Sequence, residues 1–115
     1  MPTHIPIYCG EDAVAEMIDY CRSTQRDRFF VIADQNTYPA LGERVEAALE
    51  DQGWGVKTIR LEGEHIIANE EYLIQVLLQT GDEARTYVAV GSGTITDIVR
   101  FCSHRSRNAF ISLPT

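Results

Sequence analysis

The sequence predicts a three-layer α/β fold, in which a parallel sheet lies between helices on both of its faces. Short apolar runs alternate along the chain with segments whose apolar residues recur at helical spacing. The helical segments are about ten residues long, as in βαβ units with right-handed crossovers. The first and third apolar runs lack polar alternation, which is typical of strands that are buried on both faces. These observations favour a Rossmann-like sheet of four strands.

Four segments are predicted to be strands. The first is Phe29–Ala33, an apolar run that stops at Asp34. The second is Val56–Leu61, which alternates between apolar and polar residues and contains β-branched side chains. The third and fourth are Thr86–Val90 and Ala109–Leu113. Their spacing leaves room for one helix between each strand and the next.

Four helices are predicted from the periodicity of apolar residues. The first is Glu11–Cys21, and the second begins near Pro39 and ends before Gly53. The third covers about Asn69–Gln79, and the fourth about Thr94–Ser103. Each carries apolar residues at positions i, i+3 or i+4, so each has one face that suits packing against the sheet.

The composition excludes several classes of function. With 115 residues, of which 44% are hydrophobic and 23% charged, the chain is predicted to be one globular domain or part of a larger one. Its net charge of −7 repels nucleic-acid phosphates and anionic membranes, so neither is an expected partner. The sequence has no apolar run long enough for a membrane span and no signal-peptide pattern, so a cytoplasmic protein is expected. The three cysteines, an odd number, are predicted to be free thiols.

Ligands of parallel α/β sheets bind outside the carboxyl ends of the strands. Four segments of this sequence are expected at that edge: Asp34–Thr37, Glu62–His65, Gly91–Asp97 and Pro114–Thr115. The fourth strand is not followed by a helix, which would leave one face and one edge of the sheet partly uncovered. The sequence is therefore interpreted as part of a longer protein, and a four-strand domain that ends here is the alternative.

Two glycines flank the turn between the third strand and the fourth helix. Gly91 comes directly after the strand, and Gly93 comes directly before the helical pattern. Glycine lets the backbone turn sharply and approach a ligand closely, and the free N–H groups of a first helical turn favour an anion. This pattern predicts a phosphate site. The alternative is a purely structural capping box, because Thr94 and Asp97 have the spacing of one.

Two longer segments extend the glycine pattern. Residues 90–101 read Val-Gly-Ser-Gly-Thr-Ile-Thr-Asp-Ile-Val-Arg-Phe, and residues 110–115 read Phe-Ile-Ser-Leu-Pro-Thr. Together they resemble the sn-glycerol-1-phosphate dehydrogenase family, in the superfamily of dehydroquinate synthase, glycerol dehydrogenase and iron-containing alcohol dehydrogenases. The specific part of the resemblance covers residues 86–115. A glycine loop after the third strand, instead of the first, is normal in this family.

The resemblance implies that the chain binds NAD or NADP at the glycine loop. Gly91 and Ser92 would shape the turn, and the main-chain N–H groups of residues 93–95 would hold the pyrophosphate. Asp97 would lie near the nicotinamide ribose. The residues expected to line the cofactor in this way are Gly93, Thr94, Ile95, Thr96 and Asp97.

The resemblance also implies cofactor contacts from two neighbouring strands. Thr115 would contact the cofactor from the end of the fourth strand. Asp34 and Asn36, by their position after the first strand, would meet the adenine ribose. This second assignment is less distinctive, because it depends on the order of the elements more than on a motif.

For the whole enzyme, the resemblance implies interconversion of dihydroxyacetone phosphate and sn-glycerol 1-phosphate, a reaction of phospholipid biosynthesis. A catalytic metal, zinc or another divalent ion, would be held by an Asp and two His in a helical C-terminal domain. None of these ligands is expected within residues 1–115, so this part alone is predicted to be inactive. The alternatives are a glycerol dehydrogenase or dehydroquinate-synthase-like enzyme, and a non-enzymatic flavodoxin-like module. Homo-oligomer formation stays open.

Two acidic residues, Glu62 and Glu64, follow the second strand. An acidic side chain there accepts a hydrogen bond from a ribose hydroxyl and repels a 2′-phosphate, which favours NAD over NADP. A solvated loop is the alternative. The three histidines lack the spacing of metal ligands, so no metal site is predicted within these residues.

Overall fold

The computed structural model of the protein describes residues 6–8, 10–63, 69–81 and 83–114. Within these residues, strands and helices alternate in the predicted order. The strands are β1 (Arg28–Asp34), β2 (Gly55–Leu61), β3 (Thr86–Gly91) and β4 (Phe110–Pro114). The helices are α1 (Ala13–Ser23), α2 (Glu43–Asp51), α3 (Glu70–Thr80) and α4 (Gly93–Arg105). The predicted fold class is confirmed, and so are the four strands and the four α-helices as types of element.

The strands form one parallel sheet in the order β2-β1-β3-β4. The chain leaves β1 for the edge strand β2 and then crosses back over β1 to reach β3. The connection from β1 to β2 thus runs one way across the sheet, and the connections from β2 to β3 and from β3 to β4 run the other way. Right-handed crossovers put α2 on one face of the sheet and α3 and α4 on the other, because the crossovers run in opposite directions. The same reversal opens a crevice between the carboxyl ends of β1 and β3, which is where such sheets bind ligands.

Each face of the sheet packs against helices through its own apolar cluster. The sheet residues alternate between the two clusters, as the period of a β-strand requires. The cluster under α1 and α2 contains sheet residues Phe29, Val31, Ala33, Val88, Val90, Ile111 and Leu113. The cluster under α3 and α4 contains Phe30, Ile32, Ile59, Leu61, Tyr87, Ala89 and Phe110. β1 and β3 are central and buried on both faces, whereas the edge strand β2 alternates between exposed and less exposed residues. This difference explains the two kinds of apolar pattern in the sequence.

Two details of the fold differ from the predictions. Ala109 lies outside β4, which begins at Phe110. The outer edge of β4 is partly paired with residues 6–8. The main-chain N–H of Ser112 donates to the carbonyl of Pro6, and the main-chain N–H of Tyr8 donates to the carbonyl of Ser112, both at 2.9 Å. This pairing covers the edge at Ser112, a contact that the sequence did not predict. The pairing partner is about a hundred residues away in the sequence, so no local pattern indicates it.

The segment between β1 and α2 is also more irregular than predicted. A π-helical turn, Tyr38–Gly42, precedes α2, and Pro39 lies in its first turn. The predicted stop after α2 is confirmed, since Gly53 follows the helix with a φ of 81°. In the part of the chain that the structure describes, no helix has the length and apolar character needed to cross a membrane.

Cys21 and Cys102 are free and fully buried, as predicted, while Cys9 lies outside the described residues. Burial raises the pKa of the Cys21 thiol to about 11, and Arg26 opposes the shift; burial raises the pKa of the Cys102 thiol to about 11 as well. Both thiols are therefore protonated in the folded protein at neutral pH. A thiol in this state is a poor nucleophile.

We predict that Cys21 and Cys102 do not react with a thiol-labelling disulfide at pH 8 until the chain unfolds. The measurement is labelling against urea concentration in a Cys9→Ser background. Rapid labelling of either cysteine in the native protein contradicts this account.

The same thiols make the stability of the fold depend on pH. Because their folded pKa lies above the ordinary value of 9.0, they lower the free energy of unfolding as the pH rises from about 9 to about 11.

Candidate functional site

The turn after β3 depends on a glycine at position 91. Gly91 has a φ of 154°, a backbone conformation that residues other than glycine rarely adopt. A Cβ atom added there lies 2.8 Å from Cγ1 of Ile95 and 3.4 Å from Cγ2 of Thr37. Ile95 is itself fully buried in the cluster under α4. The close packing at Gly91 thus fixes the first turn of α4 against the sheet.

The first turn of α4 presents main-chain donors that the protein does not use. Ser92 is the N-cap residue, its backbone is extended, and its side chain makes no capping hydrogen bond. Thr96 is the first residue of α4 whose main-chain N–H donates to a carbonyl, that of Ser92, at 3.1 Å. Within the described chain, the N–H groups of residues 93–95 donate to no other group. Three free donors at the positive end of a helix dipole are an arrangement that can hold an anion.

The structure excludes the capping-box alternative. In a capping box beginning at Thr94, that residue is the N-cap and Asp97 reaches back to its main chain. Here Thr94 lies inside the helix, and Asp97 instead pairs with Arg100 at 3.2 Å. The capping-box interpretation is therefore wrong.

Gly93 has no structural need to be glycine. A Cβ atom added at this position meets no other atom within 4 Å, and its φ is not positive. Gly93 and Ser92 are both exposed, at the end of the sheet where ligands bind. The missing side chain leaves the N–H groups accessible to a bulky anion.

The side chains that follow the loop point in different directions. Ile95 faces the core, so only its main chain is available to a ligand. The Thr96 hydroxyl donates to the Ser92 carbonyl at 3.2 Å and lies 3.4 Å from the hydroxyl of Ser112 on β4. Asp97 is exposed, on the outer side of α4. Thr94 is half-buried beside the free donors.

The turn after β1 lies directly beside the glycine loop, since a Cβ atom added at Gly91 lies 3.4 Å from Cγ2 of Thr37. Oδ1 of Asp34 accepts the N–H groups of Asn36 and Thr37 at 2.8 and 2.7 Å. The Thr37 hydroxyl accepts the N–H of Asp34 at 2.9 Å. The turn is therefore closed by hydrogen bonds to its own side chains. Asp34 Oδ2 makes no hydrogen bond within the described residues, and Asn36 is exposed, so both can meet a ligand.

Thr115, the last predicted contact, lies outside the described residues. Its neighbour Pro114 is exposed and pairs in register with Gly91, so β4 ends at the level of the glycine loop. The loop, the turn at Asp34 and the end of β4 therefore occupy one edge of the sheet, as the sequence predicts.

A groove at the ends of β1 and β2 is the feature that the sequence did not indicate. It is lined by Gln35, Tyr38, Pro39, Arg60 and Glu62. The Arg60 guanidinium lies 4.7 Å from the centre of the Tyr38 ring. The Tyr38 hydroxyl donates to Glu46 Oε1 at 2.9 Å, and Thr58 donates to the other oxygen of the same carboxylate. The hydrogen bond to Glu46 and the partial burial raise the pKa of Tyr38.

No group of three or more His, Cys, Asp or Glu side chains placed to hold a metal occurs among the residues that the structure describes. The described residues thus hold no ligand set for the catalytic metal, which the resemblance assigns to a helical C-terminal domain. They do fit the phosphate-bearing part of a nucleotide, because free donors and a bare glycine occur together at the crevice.

Comparison with known proteins gives a consistent result. A sequence profile of iron-containing alcohol dehydrogenases matches residues 8–115. The chain is 40% identical over 113 residues to glycerol-1-phosphate dehydrogenase (NAD(P)+) of Geobacillus stearothermophilus, and 33% identical over 112 residues to that of Bacillus subtilis. The two alignments cover 92% and 95% of this chain but only 27% and 28% of the relatives. The chain thus spans about a quarter of their length.

Solved structures show the same fold. The chain is similar to glycerol dehydrogenase from Schizosaccharomyces pombe, with a TM-score of 0.75 and 21% identity, over 95% of this chain and 27% of that one. It is also similar to 2-deoxy-scyllo-inosose synthase complexed with carbaglucose-6-phosphate, NAD+ and Co2+, with a TM-score of 0.75 and 17% identity, over 95% of this chain and 32% of that one. Both likenesses support the predicted architecture.

The two loop glycines should respond differently to alanine. We predict that Gly91→Ala lowers the free energy of unfolding by about 1–3 kcal/mol, because the methyl group overlaps Ile95 and the backbone is strained. Gly93→Ala, the matched control, should change it by less than about 0.5 kcal/mol. Urea denaturation followed by circular dichroism measures both. Equal losses in the two variants contradict the packing described for Gly91.

Proposed function

The chain belongs to the iron-containing alcohol dehydrogenase family, and from that membership we propose that it is the nucleotide-binding domain of an NAD(P)-dependent glycerol-1-phosphate dehydrogenase. The whole enzyme would interconvert dihydroxyacetone phosphate and sn-glycerol 1-phosphate, with a small phosphorylated polyol as its substrate. The names of the curated relatives support this activity over the sister activities of the superfamily. Domain 1–115 would bind the dinucleotide, and a helical C-terminal domain would hold the metal.

The observation that carries the proposal is the set of free N–H groups at residues 93–95, next to a glycine whose side-chain position is open. We assign these donors to the cofactor pyrophosphate. Gly91 and Ser92 shape the turn that aims them. Thr94 contributes one of these three N–H groups, and the Thr96 hydroxyl lies 3.4 Å from that of Ser112, which connects the loop to β4.

The other predicted contacts follow from the position of the pyrophosphate. Asp97 would lie towards the nicotinamide ribose, one helical turn beyond the donors. Asp34 Oδ2 and Asn36 would meet the adenine ribose from the turn after β1, which adjoins the loop through Thr37. Thr115 would close the site from the end of β4.

An anionic ligand is compatible with the acidic chain. The net charge of −7 is spread over the whole chain, and fields from exposed charges are screened beyond about 8 Å at physiological ionic strength. The N–H donors act at hydrogen-bonding distance, where the helix dipole contributes about 0.3–2 kcal/mol. The short-range attraction therefore outweighs the long-range repulsion at the loop.

When bound, the nicotinamide cofactor supplies a hydride to the carbonyl carbon of the substrate or removes it from the alcohol. The part played by the described residues is to bind and orient. The rigid turns at Asp34 and Gly91 fix the donors before the ligand arrives, so little ordering is lost on binding. Because the resemblance assigns the metal ligands to a C-terminal domain, residues 1–115 alone are expected to bind the dinucleotide without turning over substrate.

A binding measurement tests the proposal. Gly93→Val should weaken NAD and ADP-ribose binding at least about tenfold, because the branched Cβ occupies the space above the N–H donors. The matched control is Gly55→Val, at the start of β2 on the opposite edge of the sheet, where a Cβ atom makes ordinary contacts. Isothermal titration calorimetry measures the dissociation constants.

Two results count against the proposal. A folded wild-type chain that binds neither ligand at millimolar concentration favours a non-enzymatic binding module of the same fold. Unchanged affinity in Gly93→Val shows that the ligand binds elsewhere.

A further inference from the structure

We propose that Arg60 binds the 2′-phosphate of NADP in the groove at the end of β2 and so sets the affinity of this domain for NADP relative to NAD. The inference rests on the proposed function, because it concerns the same cofactor. It adds a residue that neither the sequence motifs nor the resemblance assigned.

The strand order places Arg60 on the correct side of the site. β3 lies next to β1, and β1 lies next to β2, with Asp34 and Leu61 paired in register. With a strand spacing of about 4.8 Å, β2 lies about 10 Å from β3 in the plane of the sheet. A nucleotide with its pyrophosphate at the α4 N-terminus and its adenine ribose above Asp34 therefore directs its 2′-position towards β2.

Arg60 is held with its guanidinium over a fixed platform. The Tyr38 ring lies 4.7 Å below the guanidinium carbon, and Glu46 holds the Tyr38 hydroxyl from α2. Stacking on the ring face leaves the N–H donors at the edge of the guanidinium free to bind an anion. A planar guanidinium binds phosphate oxygens in pairs, which a lysine ammonium does not.

The charge of Arg60 is not neutralised within the described chain, where no carboxylate lies within ion-pair distance of it. Glu46 accepts hydrogen bonds from Tyr38 and Thr58. Glu62 lines the same groove without pairing with Arg60. A positive group that lacks a partner beside an open groove suits a 2′-phosphate.

Arg60 and Glu62 act in opposite directions on the two cofactors. Glu62 can accept a hydrogen bond from the 2′-hydroxyl of NAD and repels a 2′-phosphate, which alone favours NAD. Arg60 offsets that repulsion. The pair therefore makes the groove permissive for both cofactors, and removing either member should shift the balance.

The test compares NAD with NADP, which differ only in the 2′-phosphate. In the wild-type chain, the two dissociation constants should agree within about tenfold. Arg60→Ala should weaken NADP at least about tenfold, as expected for a lost charge-assisted contact, and change NAD by less than about twofold. Arg60→Lys should weaken NADP by a smaller factor, and Glu62→Gln should tighten NADP several-fold. Calorimetric titration measures all of these constants.

Arg105→Ala is the matched control, because it removes the same charge from an exposed residue at the far end of α4. It should leave the ratio of the two dissociation constants unchanged. If Arg60→Ala does not fold, as judged by circular dichroism, Arg60→Lys and Glu62→Gln still decide the question.

The outcomes separate the two proposals. If the wild type binds both cofactors and Arg60→Ala and Arg60→Lys leave their ratio unchanged, Arg60 does not contact the 2′-phosphate and this inference is wrong. Equal weakening of NAD and NADP also overturns it, since Arg60 then only supports the groove. If the wild type binds neither cofactor, the proposed function itself fails.

Discussion

The pairing of β1 with β3 is the constraint on which the rest of this structure depends. These strands are not consecutive in the chain, yet they lie side by side from Phe29 opposite Thr86 to Ile32 opposite Ala89. Their pairing makes both strands central and buries them on two faces, so helices must cover both sides of the sheet. It also reverses the direction of the crossovers. The crevice at the carboxyl ends of the strands results from that reversal, and the glycine loop and the turn at Asp34 lie on either side of it.

The same contacts that stabilise the fold prepare the site. Ile95 packs in the core and against Gly91, which holds the first turn of α4 in place. Because the turn is anchored from below, its N–H groups are aimed at the crevice without any ligand. The side-chain hydrogen bonds within residues 34–37 do the same for the neighbouring turn. Both sides of the crevice are therefore rigid, which reduces the entropy lost when a ligand binds.

Electrostatics in this domain work on two length scales. The whole chain is acidic, which disfavours binding to polyanions. At the crevice, however, the local groups are donors: the free N–H groups of α4 on one side and the Arg60 guanidinium on the other. Glu46 and Oδ1 of Asp34 accept hydrogen bonds from their own surroundings, while Asp34 Oδ2 and Glu62 stay open to a ligand. In the proposed site, anion binding would depend on a few placed groups and not on the net charge.

The sequence by itself determined the type and order of the four strands and four α-helices, because apolar periodicity and glycine or proline positions act over a few residues. It also placed Gly91–Asp97 at the end of a buried strand, and its resemblance to a family indicated a cofactor loop. Only the tertiary structure decided the strand order, the pairing of Pro6–Tyr8 with β4, and the absence of a capping box at Thr94. It alone revealed the stack of Arg60 on Tyr38 and their link to Glu46. These features join residues that are far apart in the chain, or depend on which hydrogen bonds are left unmade, and no local pattern records either.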